Sequence, residues 1–397
     1  MTLRCRFAGR WWPVTTPLLG LILAMLTVIT ACSATARNPA AAGGSPLAQP
    51  PRVVMQPSDG ATGVNPVGRT QISVTGGAFD AVRLTNPGGR AVAGALSADK
   101  TVWTVSEPLG YDKTYTWSGT ATGSDGKQIP VHGSFHTIKP DDLISASLNV
   151  GDNATYGVAM PIALTFRSEV NDKAAVERAL SVQTSVPTEG AWAWLDDTTV
   201  HWRPKTYFTP NTQVSVTAKL YGLSLGNGAY GQEDLTSSFS IGRSYVLRGD
   251  TQTHRMVGYA DGVQVADYPA SYGLDSDPGR VTQSGTHVVM AKYPVFFMTN
   301  PKYDYQNVEA RWAVRISNNG EFTHSAPWSV SQQGKTNVSH GCINLSPSNA
   351  KAVFDAVLPG DPVEITGSSQ HLGPEDGDYY DWAIPWDAWI AKSALRS

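Results

Sequence analysis

From residue 52 onward almost no stretch keeps a helical period. Apolar, β-branched and aromatic residues instead alternate over a few positions and then stop at a turn signal. Thr70-Gln71-Ile72-Ser73-Val74, Thr114-Tyr115-Thr116-Trp117 and Gln213-Val214-Ser215-Val216 are such runs, and Ser58-Asp59-Gly60 and Asn86-Pro87-Gly88-Gly89 are such stops. A chain written this way can build sheets but not a helical bundle. Its 38 glycines and 26 prolines reinforce that reading, and a hydrophobic content of 41% is enough for buried cores, which excludes wholesale disorder. The formal net charge of −3 provides no basic footprint for nucleic acid. Removing the first segment, with Arg4, Arg6 and Arg10 and no acid, makes the remainder more negative still.

A weak repeat organises residues 52–245. Ala61-Thr62-Gly63-Val64 precedes the first strand of one unit, and Ala154-Thr155-Tyr156-Gly157-Val158 precedes the matching strand of the next. Trp103 lies eleven residues before Thr114, and Trp202 ten before Thr212. The period is about a hundred residues, the size of an immunoglobulin-like sandwich. Neither unit has a cysteine pair, so any such sandwich lacks the intersheet bridge; Trp103 and Trp202 are read as core or inter-sheet packing rather than as sugar-stacking rings.

The N-terminus reads as an export signal. Arg4, Arg6 and Arg10 precede the apolar run Leu18 to Ile29, too short to span a bilayer comfortably. Ile29-Thr30-Ala31-Cys32 resembles the bacterial lipoprotein cleavage box, which makes Cys32 the expected lipidation site. The chain is then expected outside the cell, lipid-anchored to the outer face of the cytoplasmic membrane and facing the cell wall. The expected segments are a signal peptide at 1–31, a lipidated Cys and flexible tether at 32–51, immunoglobulin-like domains at 52–140 and 141–245, a third domain at 246–367 and a C-terminal extension at 368–397.

Cysteine usage then singles out one atom. Of Cys5, Cys32 and Cys342, the first leaves with the signal and the second is acylated, so Cys342 remains alone. An oxidising compartment favours paired cysteines or none, so a solitary thiol calls for a chemical explanation. It sits in Ser339-His340-Gly341-Cys342, ahead of a helix predicted from Ser346 (N-cap) and Pro347 through Val357, with Pro359-Gly360 as the stop. Elsewhere in 246–367 the pattern is again strands, with Ala260-Asp261-Gly262 and Asn318-Asn319-Gly320 as tight turns. A thiol attacks a carbonyl only as thiolate, so a base must meet it. His340 and His324, the latter in Thr323-His324-Ser325-Ala326-Pro327-Trp328, are the two candidates. The residues alone also allow a plain buried thiol, or a zinc site from His324, His340 and Cys342 that lacks a fourth ligand.

Ser339-His340-Gly341-Cys342-Ile343-Asn344-Leu345, preceded by His324-Ser325, resembles the active-site signature of the L,D-transpeptidase (YkuD) catalytic domain. The whole layout is similar to the larger mycobacterial, lipoprotein-type members. The resemblance implies a mainly β protein: two tandem immunoglobulin-like sandwiches, then a YkuD-like β-sandwich with a short helix and an aromatic extension. It implies Cys342 as nucleophile, His324 as its base and the Ser325 carbonyl as the group that orients the base. Backbone N–H groups of His340, Gly341 and Cys342 are then expected to form the oxyanion hole. Tyr303 or Tyr305, Trp328, Asn337 and Asn344 are expected at the substrate, Asn344 standing where many members carry Arg. The implied reaction joins peptidoglycan tetrapeptide stems by 3→3 cross-links through a Cys thioester, releasing D-Ala, with no cofactor and no metal. Carbapenems are the implied covalent inhibitors. Hydrolysis of the same thioester, transfer to a protein amine, or a non-catalytic wall-binding lipoprotein are the alternatives. His287 is read as structural or substrate-adjacent, and Trp382, Trp386 and Trp389 as a tail that packs back onto the catalytic domain or its neighbour module.

Overall fold

The computed structural model describes residues 50–374 and 379–396. The expected signal peptide, Cys32 and the tether up to residue 49 lie outside the described residues. Within them, no helix is long and apolar enough to cross a membrane.

The first module is a pair of four-stranded sheets. Arg52–Gln56, Gln71–Thr75, Val102–Val105 and Gly94–Leu96 form one; Ala61–Val64, Gln128–Thr137, Thr114–Gly123 and Gly77–Thr85 form the other. Alternation sends Ile72, Leu84, Trp117 and Phe135 into the space between them. Trp103 meets Trp117 edge-on at 5.4 Å, so its role is packing. The second module repeats the plan with Ala146–Leu148, Ile162–Phe166, Thr199–Pro204 and Gly190–Trp194 in one sheet, and Thr155–Tyr156, Leu235–Ile241, Gln213–Ala218 and Leu180–Thr184 in another. Trp202 is buried there opposite Trp192. The modules interlock through Tyr111, whose hydroxyl donates to the Gly231 carbonyl at 2.8 Å and accepts from the Gly222 N–H at 2.7 Å.

The second module also holds the helix Lys173–Ala179, which the strand-dominated reading did not anticipate. Its causes are local. Asp172 caps the Ala175 N–H at 2.9 Å, the segment consists mostly of good helix formers, and Val176 is fully buried.

The third region stacks two sheets. Val263–Pro269, Arg255–Ala260, Tyr245–Asp250, Pro362–Thr366 and Gly285–Val288 form a five-stranded sheet in that order. Ala291–Asn300, Tyr305–Arg315, Phe322–Ser325 and Ile343–Leu345 form a four-stranded one. Leu247, Met256, Tyr272, Val314, Ile343 and Val363 belong to the shared core. Helix Pro347–Ala356 starts where the sequence says, with Ser346 Oγ accepting from the Asn349 N–H at 3.2 Å, and it adds Ala350 and Val353 to that core. The long hairpin Ala291–Asn300/Tyr305–Arg315 projects beyond the core, with Phe297 59% exposed on its outer side.

The aromatic tail leaves this region and packs on the second module. Trp382 Nε1 donates to the Ala159 carbonyl at 2.8 Å and Trp389 Nε1 to the Ala191 carbonyl at 2.9 Å. The buried Arg203 guanidinium lies 4.7, 5.2 and 4.7 Å from the rings of Trp382, Trp386 and Trp389. Desolvation holds that guanidinium at about 10, below its usual range. The rings therefore serve as packing and as partners for a cation, not as an exposed platform. Trp389 is fully buried, so Trp389→Ala is expected to cost about 3–5 kcal/mol. That loss should appear as an earlier denaturant transition of the full chain, with Leu395→Ala at the exposed end changing little.

Candidate active site

Strand Phe322–Ser325 runs parallel to Ile343–Leu345, with Thr323 opposite Ile343 and His324 opposite Asn344. Side chains alternate along a strand, so Cys342, two positions before Asn344, falls on the same face as His324. Both line one cavity of about 370 Å³, whose other walls include Tyr305, Trp328, His340 and Asn344.

His324 is buried, and its Nδ1–H donates to the Ser325 carbonyl at 2.9 Å. A carbonyl only accepts, so Nδ1 carries the hydrogen and Nε2 keeps its lone pair. Burial pushes the imidazole below its ordinary 6.5, against an opposing pull from the Ser325 bond. The base is therefore neutral at pH 7. The Trp328 ring stands 6.0 Å from it, 58% exposed at the mouth of the cavity.

The thiol points elsewhere. Cys342 Sγ lies 3.6 Å from the Gly320 carbonyl, and among the described residues that is its hydrogen bond. Burial pushes the thiol up to about 12; the Phe322 N–H opposes this and the Glu321 carboxyl adds to it. Ionisation thus starts from a neutral thiol resting on a carbonyl, with a neutral imidazole on the same face.

The loop before Cys342 is tied down by side chains. Ser339 Oγ accepts from the Gly341 N–H at 3.2 Å and donates to the Cys342 carbonyl at 2.5 Å. Thr282 Oγ1 donates to the Gly341 carbonyl at 2.6 Å while accepting from the Gly273 N–H at 2.8 Å. Arg280 Nε donates to the Ser339 carbonyl at 3.1 Å, and its other arm reaches the Val338 carbonyl. Gly341 has φ +114°, a conformation an L side chain resists. The expectation that all three loop amides face an oxyanion needs correction. The Gly341 N–H is committed to Ser339, whereas the His340 and Cys342 N–H groups have no hydrogen-bond partner among the described residues.

The structure also separates the two tyrosines. Tyr305 lines the cavity, and its hydroxyl is raised by burial and then by Cys342. The Tyr303 ring lies 4.7 Å from that of His340, tilted by 44°, with its hydroxyl over Gly279, where an added Cβ would come within 2.2 Å. His340 is thereby engaged by aromatic rings, and among the described residues it forms no metal-holding group with His324 and Cys342.

Asn337 is the clearest correction. It does not line the cavity: its Nδ2 donates to the Thr251 carbonyl at 2.8 Å. Its Oδ1 accepts from the Tyr272 N–H at 3.0 Å and meets His254 Nδ1 at 2.9 Å. Asn337 is a fastener between loop and sheet, and the same bonds give His254 a partner that the sequence did not reveal. Asn344 does face the cavity, but its Nδ2 also donates to Ser329 Oγ at 3.1 Å, bracing the loop that follows the base. Thr282 and Arg280 escaped sequence reading because nothing near them marks a partner about sixty residues on.

Residues 61–224 match the family model of the bacterial Ig domain, and residues 244–365 that of the L,D-transpeptidase catalytic domain. L,D-transpeptidase 5 of Mycobacterium tuberculosis is 49% identical over 349 residues, 87% of this chain and 77% of that one. L,D-transpeptidase 2 of Mycobacterium tuberculosis is 36% identical over 363 residues, 88% of this chain and 87% of that one. A solved LD transpeptidase in complex with imipenem is 36% identical and covers 57% of this chain and 100% of its own, with a TM-score of 0.49.

The depressed His324 makes a pH prediction. Its folded-state value lies below the ordinary 6.5, so the unfolded chain binds the extra proton first. Its contribution to stability is complete above about 6.5 and declines as pH falls toward the lower folded value. His324→Gln should therefore flatten part of the acid side of a stability-against-pH curve measured by thermal unfolding.

Proposed function

Because this chain belongs to the L,D-transpeptidase family, we propose that it joins peptidoglycan stems by 3→3 cross-links through a thioester on Cys342. The observation that supports this most is the parallel pairing that sets a neutral imidazole and a thiol on one face of one cavity. The donor is a tetrapeptide stem. Its L,D-peptide carbonyl, between diaminopimelate and the terminal D-Ala, enters beside Tyr305 and Trp328.

His324 Nε2 takes the thiol proton, and the sulfur turns from Gly320 to attack the carbonyl carbon. The carbonyl electron pair moves onto oxygen, which the His340 and Cys342 N–H groups meet. Collapse breaks the C–N bond; the imidazolium returns the proton to nitrogen and D-Ala leaves. A diaminopimelate amine of a second stem then attacks the thioester. It loses its proton to His324, and the thiol is regenerated. The acyl energy stays in the thioester throughout, so the exchange runs without ATP.

In the same reading, carbapenems acylate Cys342 by opening their β-lactam onto it. The N-terminal pattern is, in this reading, an export signal, and the chain works outside the cell, anchored through Cys32 to the outer face of the cytoplasmic membrane. The two modules then act as a stalk that sets the height of the cavity above the membrane.

Incubation with disaccharide-tetrapeptide, scored by mass, tests the reaction. The chain should release D-Ala and form dimer. Cys342→Ala should do neither, and His324→Ala should be slower by roughly 10²–10⁴-fold. D-Ala release by Cys342→Ala would overturn the proposal, and tripeptide without dimer would replace transfer by hydrolysis. Intact-mass measurement should also find one carbapenem adduct on the chain and none on Cys342→Ala.

A further inference from the structure

Of the amides in the nucleophile loop, those of His340 and Cys342 have no hydrogen-bond partner among the described residues. Their direction is set from the other end of each peptide unit. A trans peptide is planar, with its C=O and N–H pointing opposite ways, so fixing the carbonyl aims the amide. The Ser339 carbonyl, in one unit with the His340 N–H, is held twice: by the Leu274 N–H at 3.2 Å and by Arg280 Nε at 3.1 Å. The Gly341 carbonyl, in one unit with the Cys342 N–H, is held once. Among the described residues its donor is Thr282 Oγ1, at 2.6 Å.

That hydroxyl is itself fixed. Thr282 is 1% exposed, and its Oγ1 accepts from the Gly273 N–H at 2.8 Å, which leaves its single hydrogen for Gly341. The two segments are pressed together: a Cβ on Gly273 would run into the Arg280 carbonyl and come 2.6 Å from the Thr282 nitrogen. Gly341 has no such confinement. A Cβ there would meet nothing closer than the Val281 carbonyl at 3.6 Å, so surrounding atoms do not wedge the residue in place. A peptide that begins at glycine also turns more readily than one with a side chain on that side. The direction of the Cys342 N–H therefore rests on one buried hydroxyl.

We propose that Thr282 is a positioning residue for acyl transfer, its hydroxyl turning the Gly341–Cys342 peptide so that the Cys342 N–H faces the oxyanion. Without the hydroxyl, the Gly341 carbonyl loses its donor, and leaving it buried and unpaired is costly enough to turn the peptide toward the cavity. A turned peptide presents a carbonyl oxygen where a donor is needed, and that oxygen opposes the charge developing on the substrate. The sulfur is held separately, by the Gly320 carbonyl at 3.6 Å, so it stays in place when the peptide turns. This deepens the thioester reading given above, on which it rests, and it is testable without any peptidoglycan substrate.

The experiment compares two reagents on Cys342 in the full chain, each read by mass on the Cys342 peptide after an acid quench. Iodoacetamide reacts at a saturated carbon: an S–C bond forms, iodide leaves, and no oxyanion appears. p-Nitrophenyl acetate reacts at its carbonyl carbon: the electron pair moves onto oxygen and returns as p-nitrophenolate leaves, giving an acetyl thioester. Thr282→Val keeps the shape and removes the hydroxyl, so acylation should fall roughly 10²-fold while alkylation stays close to its original rate. Thr282→Ser keeps the donor and should retain both rates. If Thr282→Val gives no cooperative denaturant transition, Thr282→Ala, which places no methyl group against the carbonyl, should show the same split. Equal slowing of both reagents would overturn the proposal, because the sulfur itself would then have been disturbed. Unchanged acylation without the hydroxyl would overturn it too, as would loss of acylation in Thr282→Ser. Neither reagent is a stem peptide, so a failed split leaves the D-Ala release assay standing, and a chain that releases no D-Ala can still show the split.

Discussion

The site depends on one parallel strand pair. Phe322–Ser325 and Ile343–Leu345 run in the same direction, so the chain cannot return by a tight hairpin and must make a long crossover. That crossover, residues 326–341, carries Trp328, Ser339, His340 and Gly341. It is held against the domain rather than left loose. Gln333 Nε2 donates to the Ala326 carbonyl at 3.1 Å, Ser271 Oγ to the Thr336 carbonyl at 2.7 Å, and Asn337 ties the loop to Thr251 and Tyr272. The register brings nucleophile and base together, and the fastened crossover supplies the rest of the cavity wall. A one-residue slip would turn Cys342 to the opposite face from His324.

Much of this was readable from residue types with local consequences. Cys342 stood out because it lacks a partner, and Gly341 because substrate can approach a backbone that carries no side chain; its φ of +114° is a second demand for glycine that only the structure shows. Asp261-Gly262 marked a hairpin, Ser346-Pro347 the start of a helix, and the size of the repeat announced two sandwiches. What stayed hidden depends on contacts between residues far apart in sequence. Nothing near Asn337 indicates that its amide reaches Thr251, and nothing near Arg203 indicates three tail tryptophans. The choice between Tyr303 and Tyr305 is made at the tip of the long hairpin, where Asp304 between them and Asn307 just beyond both have positive φ. The helix Lys173–Ala179 was missed for the opposite reason: its signal is local but short, and surrounding strand patterns outweighed it.

The electrostatics of the cavity oppose ionisation from both sides. Burial raises the thiol and lowers the imidazole, so the thiolate–imidazolium pair is disfavoured at rest. A protonated thiol is a poor nucleophile, and it is also slow to oxidise. The same desolvation that delays attack therefore protects a cysteine with no disulfide partner. Reactivity has to come from what an occupied cavity adds. A substrate carbonyl gives the His340 and Cys342 N–H groups an oxygen on which charge can develop, and it draws the sulfur away from Gly320. In a low-dielectric site such fixed donors act more strongly than they would in water and need no rearrangement at the moment of attack. A neutral resting state and charge that appears only with substrate are two results of one cause: a desolvated nucleophile built into a fastened loop.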